Sequence, residues 1–151
     1  MDYFLKIDGV QGESRDAKHK GEIELVSFGW GVDVTRGGGS GGGGGAGRAQ
    51  FEPFHFTMLT NKASPQLFLA TVSGKHLKEA TLSVRRAGKQ ALEYLKIKFT
   101  EVFVTSFHEE AGQEAPTELI AFDFGRIEID YSAQRGGTEH AGWDVRKNVK
   151  I

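Results

Sequence analysis

Cysteine is absent from this 151-residue chain, which excludes a disulfide framework and a thiolate metal site alike and leaves the fold to packing alone. Long apolar runs are missing too. No window approaches the ~18 apolar residues of a membrane helix, and the opening MDYFLKIDGV lacks the basic stretch and apolar run of an export leader. The expectation is a soluble chain without a classical signal peptide and without membrane insertion. Charge of one sign is also lacking: 19 Lys and Arg face 20 Asp and Glu, a formal net charge of −1. A nucleic-acid binder usually carries a basic stripe to neutralise phosphates. Near-neutrality leaves little self-repulsion to oppose association between copies. At this length a single domain, 1–151, buries roughly 68–70% of the surface its unfolded chain exposes, enough for a core without staples.

Catalytic and ligand-binding motifs are missing as well. The glycine run Gly37–Gly47 satisfies G-x-G-x-x-G trivially, but a phosphate loop needs Gly-Lys-Ser/Thr and a following helix, whereas Gly47-Arg48-Ala49 leads into the strand-like AQFEPFHF. His19, His55, His76, His108 and His140 show no H-x-x-x-H metal spacing and read as surface or structural histidines. Ser27, Ser40 and Ser73 neighbour glycine without forming a G-x-S-x-G elbow. Glu109 with Glu110, and Glu22 with Glu24, read as acidic pairs on wet surfaces rather than a glycosidase pair. Lys18, Lys20, Lys96 and Lys98 read as solvated or edge-protecting charges. No catalytic, cofactor or metal site is expected, and the chain does not read as an enzyme.

What the sequence does contain is a period of two. Ala80, Leu82 and Val84 alternate with Glu79, Thr81, Ser83 and Arg85, which describes a strand with one buried and one wet face. Leu95, Ile97 and Phe99 continue the theme. After Thr100 the apolar set slips by one to Val102 and Val104, and the same slip recurs at Gly125, where Ile120, Phe122 and Phe124 give way to Ile127, Ile129 and Tyr131. Slips of this kind suggest bulges in long bent strands, and two such strands suggest a closed or strongly curled sheet. Shorter strands are expected at Tyr3–Asp8, Glu22–Phe28, Gln50–Thr57 and Trp143–Val149, with loops at 108–118 and 132–143. One helix is expected near Ser64–Gly74: Ser64 can cap it, Pro65 suits its first position, Leu67, Phe68, Thr71 and Val72 form a stripe, and Gly74 can end it. It is too short to be stable alone and must dock on the sheet. The fold class is mainly β, a barrel or sandwich with one helix.

The glycine run raises a question of its own. Glycine loses more conformational freedom on ordering than any other residue. An eleven-residue glycine-rich stretch spans roughly 17–20 Å as a coil and about 36–40 Å when extended, long enough to leave its own domain. Contact with neighbouring copies could offset the entropy of ordering it, so Arg36–Arg48 is expected to gain order in a larger assembly. An engineered Gly/Ser linker is a further reading of the same run.

Four stretches carry a resemblance: DYFLKIDGVQGESRDAKHKGEIEL (Asp2–Leu25), FHFTMLTNKASPQLFLATVSGKHLKEATLSVRRAG (Phe54–Gly88), EYLKIKFTEVFVTS (Glu93–Ser106) and AGWDVRKNVK (Ala141–Lys150). Long, collinear and covering nearly the whole chain, they resemble the Hcp family, the tube-forming proteins of bacterial type VI secretion systems. The resemblance implies a β-barrel of two curled antiparallel sheets with one short α-helix, assembling as a homohexameric ring with a central channel. Such rings stack into an inner tube that contractile sheath proteins drive outward, carrying a VgrG spike protein and secreted effectors. The tube protein would assemble in the bacterial cytoplasm and then be secreted to the extracellular space or a target cell. Specialised members append a toxin domain, and a chain stopping at Ile151 resembles the plain structural form.

The segment after SFGWG (Ser27–Gly31) corresponds to the family's extended loop, at about 31–50, which contacts neighbouring subunits or the next ring. On that ground Trp30, Val32, Arg36, Gly41, Arg48, Phe51, Phe54 and His55 are candidate ring-interface residues, with core packing an equal reading for the three phenylalanines Phe51, Phe54 and Phe56. Cargo must pass the channel without sticking, which makes the polar strand-face residues Lys96, Lys98 and Thr100 candidate lining. Two other readings remain: a phage-like or extracellular contractile tail tube, and a monomeric carbohydrate-binding sandwich using Trp30 and Trp143.

Overall fold

Apolar residues at every second position make strands because successive side chains of a pleated chain point to opposite faces. The computed structural model describes residues 1–35, 47–88 and 92–151, and the candidate positions Arg36 and Gly41, with the expected ordering of the glycine run, lie outside them. The described elements are β1 (Asp2–Ile7), β2 (Ile23–Glu24), β3 (Ser27–Gly29), β4 (Val32–Val34), β5 (Ala49–Phe51), β6 (Phe54–Leu59), α1 (Ser64–Ser73), β7 (His76–Arg85), β8 (Glu93–Glu110), β9 (Thr117–Ser132), β10 (Thr138–Asp144) and β11 (Val149–Lys150).

One antiparallel sheet runs β11-β10-β9-β8-β7-β1-β2, and it forks at β9. β8 follows β9 along nearly its whole length, while the opposite edge of β9 pairs with β6 up to Phe122 and with β10 from Arg126 onward. The two branches curl apart at that point. The segment Ile23–Gly29 changes partner midway: the Leu25 amide donates to the Tyr3 carbonyl at 2.9 Å, and the next amide, Val26, donates to Thr57 on β6 at 2.8 Å. The single strand expected at Glu22–Phe28 is therefore two, β2 and β3. A separate two-stranded ladder joins β4 to β5.

The slips seen in the sequence are real, but their cause differs from an inserted residue. Inward-facing residues are three apart in three neighbouring strands, at Leu77 and Ala80, Phe99 and Val102, and Phe124 and Ile127. These residues stand opposite one another across the ladders. The register runs through unbroken, so the strands bend together. Glu101 takes up the bend with φ 56°, beside Gly125. A Cβ on Gly125 would lie 2.5 Å from Glu101 Oε2, which explains the glycine there. The true register shift between β8 and β9 lies further on, between Val104 and Ser106.

The core is aromatic. Phe54, Phe56, Phe99 and Phe122 are fully buried, with ring centroids 4.8 Å apart for Phe54–Phe99 and 4.9 Å for Phe54–Phe122. Each such side chain contributes roughly 1.5–3 kcal/mol by leaving water. Helix α1 docks on β8 through Ser64, Leu67 and Ala70. The expected stripe of Leu67, Phe68, Thr71 and Val72 is corrected: Leu67 is buried, but Phe68 and Val72 are exposed, Phe68 keeping only an edge-on contact with Phe107 at 6.1 Å. Ser64 does not cap; Ala63 holds that position without a side-chain bond, while Gly74 ends the helix at φ 65° as expected.

Elsewhere the strand expectations shift. The strand expected at Trp143–Val149 is a hairpin, β10 and β11, around a turn at 145–148, and β10 reaches back to Thr138 into the expected loop. Its residues Thr138–Ala141 are exposed, so no apolar alternation marked them. Gln50–Thr57 divides at Glu52-Pro53 into β5 and β6.

Candidate assembly surface

Two surfaces hold the described candidate residues other than Phe54 and His55. The first is an apolar groove of about 550 Å³ where the β4–β5 hairpin leans toward the β9–β10 branch, lined by Trp30, Val32, Val34, Phe51, Ile127 and Trp143. Val32 is 44% exposed and Val34 55%, an unusual degree for apolar strand residues flanking a core. The base of the hairpin is fixed by its own chain. Arg48 Nη2 donates to the carbonyls of Val145 at 3.3 Å and Arg146 at 2.9 Å, and the Ala49 amide donates to Asn148 Oδ1 at 3.3 Å. Phe51 is half-buried and meets Phe124 edge-on with centroids 5.7 Å apart. The Trp143 indole N–H is shielded from solvent with no acceptor among the described residues.

Alternation on β6 separates the remaining pair. Phe54 and Phe56 point into the core and Phe54 is fully enclosed by its own chain, so its side chain is no surface contact. His55 between them is exposed on the opposite face. It sits across from Gly29, where a Cβ would come within 2.5 Å of His55 Nε2.

The second surface is the wet face of β7, β8 and β9. Lys96, Lys98 and Thr100 share it, in register with Asp130, Glu128 and Arg126 on β9 and with Ser83, Thr81 and Glu79 on β7. Lys98 Nζ lies 3.0 Å from Glu79 Oε1, and that hydrogen bond raises the lysine pKa. Asp130 in turn meets His140 Nδ1 at 2.6 Å. Charges of both signs interleave on this face.

The shape and sequence of the whole chain find close counterparts. Residues 4–131 match the family described as type VI secretion system effector, Hcp. The chain belongs to the Hcp family. It is 36% identical to Protein hcp1 of Pseudomonas aeruginosa across 99% of this chain and 98% of that protein. The crystal structure of Hcp1 from Salmonella typhimurium superposes with a TM-score of 0.85 at 36% identity, covering 99% and 98% of the two chains. A type VI secretion system effector from Yersinia pestis superposes with a TM-score of 0.81 at 37% identity, over 95% of this chain and all of that one. This is a type VI secretion tube protein.

Within this Hcp-family chain, residue types alone hid two polar knots. Arg85 on β7 holds Asp2 at 3.1 Å and Asp16 at 2.8 Å, fastening the loop between β1 and β2. The Arg85 hydrogen bond lowers the Asp16 pKa to about 2. Of the two readings, surface or structural, His19 takes the structural one, at 6% exposed. It stacks on Phe4 at 4.3 Å, with Nδ1 3.0 Å from Glu22 and Nε2 against Glu93. Glu22 is therefore a hydrogen-bond partner of His19 and not simply a solvated carboxylate. The alternation on β1 could have flagged this site, since Phe4 lies one residue out of step with Leu5 and Ile7 yet is buried.

Proposed function

We propose that this chain is the repeating structural subunit of the secretion tube: copies close head to tail into a six-membered ring, and rings stack. A heterologous contact closes into a ring when its rotation permits, and stacking then extends the tube. The wall of each subunit is a barrel, completed where Ile23–Gly29 bridges β1 to β6, a reading supported by the Leu25 and Val26 hydrogen bonds. Its role is mechanical rather than catalytic.

The observation that carries the ring is the groove beside Trp30, Val32 and Val34. Apolar strand residues left half-exposed side by side along a groove gain stability when a neighbour covers them. Trp30, Val32, Arg48, Phe51 and His55, with Arg36 and Gly41 of the glycine arm, form the contact between subunits or successive rings, and Phe54 supports it from within. Lys96, Lys98 and Thr100 line the channel, past which effectors travel behind a VgrG spike inside a contractile sheath. The protein leaves the bacterium with its cargo.

Native mass spectrometry of the purified protein tests the ring. A dominant species six times the 16.5 kDa chain is the expected result, with rings visible in negative stain. A single 16.5 kDa species at both low and high concentration would refute it.

A further inference from the structure

A carboxyl group for which the tube has no evident use is buried beneath the start of α1. Glu118 on β9 is 1% exposed. Its Oε2 accepts a hydrogen bond from the Ser64 hydroxyl at 2.8 Å. Its Oε1 is shielded from solvent and has no partner among the described residues.

The surroundings offer no counter-charge among the described residues. From β8, Glu109 stands directly opposite across the ladder. From β6, the opposite residue is Met58. From the turn before the helix come the Thr60 hydroxyl, which donates to Glu109 Oε2 at 3.4 Å, and Lys62, which is exposed and forms no ion pair with either glutamate among the described residues. From α1 there is Ser64, whose oxygen also accepts the Asn61 amide at 2.9 Å. Two carboxyl groups thus face each other without a cation. Like charges opposite one another on a sheet repel, and a buried charge without a partner is strongly disfavoured. Burial above all, then the Glu109 charge, raises the Glu118 pKa, while the Ser64 hydroxyl pulls it down.

The same corner is where the helix is tied to the sheet. The Thr60 amide donates to the Pro116 carbonyl at 3.1 Å, the Thr60 hydroxyl lies 3.4 Å from both Glu109 Oε2 and the Pro116 carbonyl, and Ser64 reaches Glu118, so the turn 60–63 hangs on the β8–β9 hairpin through Thr60 and Ser64. We propose that Glu118 is a proton-operated latch: neutral, it stays buried beneath the N-terminus of α1 with Ser64 fastened to it, and loss of the proton to water leaves an uncompensated charge facing Glu109 that loosens the corner. The folded form binds the proton more tightly than the unfolded chain does. The latch is therefore fully closed below the ordinary glutamate range and weakens as pH rises through the elevated folded pKa. This holds whether the chain is a lone subunit or part of a ring.

Hydrogen exchange on the full chain, corrected for intrinsic rates between about pH 5 and about pH 8, tests the latch. Amides of Asn61–Leu67 should exchange more than about threefold faster at the upper end in the wild type. Glu118→Gln, which keeps the shape and the Ser64 contact without a charge, should give a flat profile. Matching profiles in the two proteins would overturn the proposal. A second readout does not depend on a variant that folds: the side-chain carbonyl resonance of Glu118 should titrate above the ordinary value of 4.5. A midpoint at or below that value would overturn it equally.

Discussion

Arg85 gathers Asp2 and Asp16 from two different stretches of chain, and the sign of the resulting pH effect follows from Asp16. Its folded pKa of about 2 lies below the ordinary 3.8. The stabilisation is thus present above the ordinary value and lost as pH falls toward about 2. Acid unfolding followed by circular dichroism should show this loss between those values, and Asp16→Asn should remove it. Glu118 acts in the opposite sense, so the wild type and Glu118→Gln should converge in stability as pH falls toward 4.5. In the core, Phe54→Ala should cost about 3–5 kcal/mol in chemical denaturation, the amount typical of a buried aromatic truncated to a methyl. Alternation alone made Phe54 legible as a core candidate and placed Lys96, Lys98 and Thr100 on one wet face. Glu118 was illegible: it belongs to a polar stretch of a hairpin, and its burial is created by a helix that precedes it by some fifty residues in the sequence.

Elements were readable wherever one face is buried and the other wet. β7, β8 and β9 declared themselves by period, and their bend by the slip at Thr100 and Gly125. The ends of the sheet did not, because β4 and much of β10 have both faces exposed and their side chains carry no contrast. Helix α1 was found from Pro65 and Gly74, yet its stripe was drawn too broad, since only Ser64, Leu67 and Ala70 are buried and Phe68 touches Phe107 from an exposed position. The bend itself is testable. Gly125→Ala puts a methyl against Glu101, which also pairs with Arg146 at 3.0 Å. The crowding should cost about 1–3 kcal/mol in thermal unfolding. Adding Glu101→Gly should recover most of that loss, because it removes both the clash and the left-handed side chain.

The whole molecule presents an apolar groove on the β9–β10 branch and a face of interleaved charge on β7–β9. Val32→Asp with Val34→Asp should shift native mass spectra from rings toward the 16.5 kDa chain. Both residues are half-exposed, so the stability of the isolated chain should change by less than about 0.5 kcal/mol. Unchanged rings would place the contact elsewhere. The common bend of β7, β8 and β9 carries a consequence for how this chain tolerates change in length. A residue added to or removed from one of these strands near the bend would turn its apolar side chains out to water beyond that point while its neighbours kept theirs inside. Length can therefore vary freely only in the connections, and the three strands must be lengthened or shortened in concert.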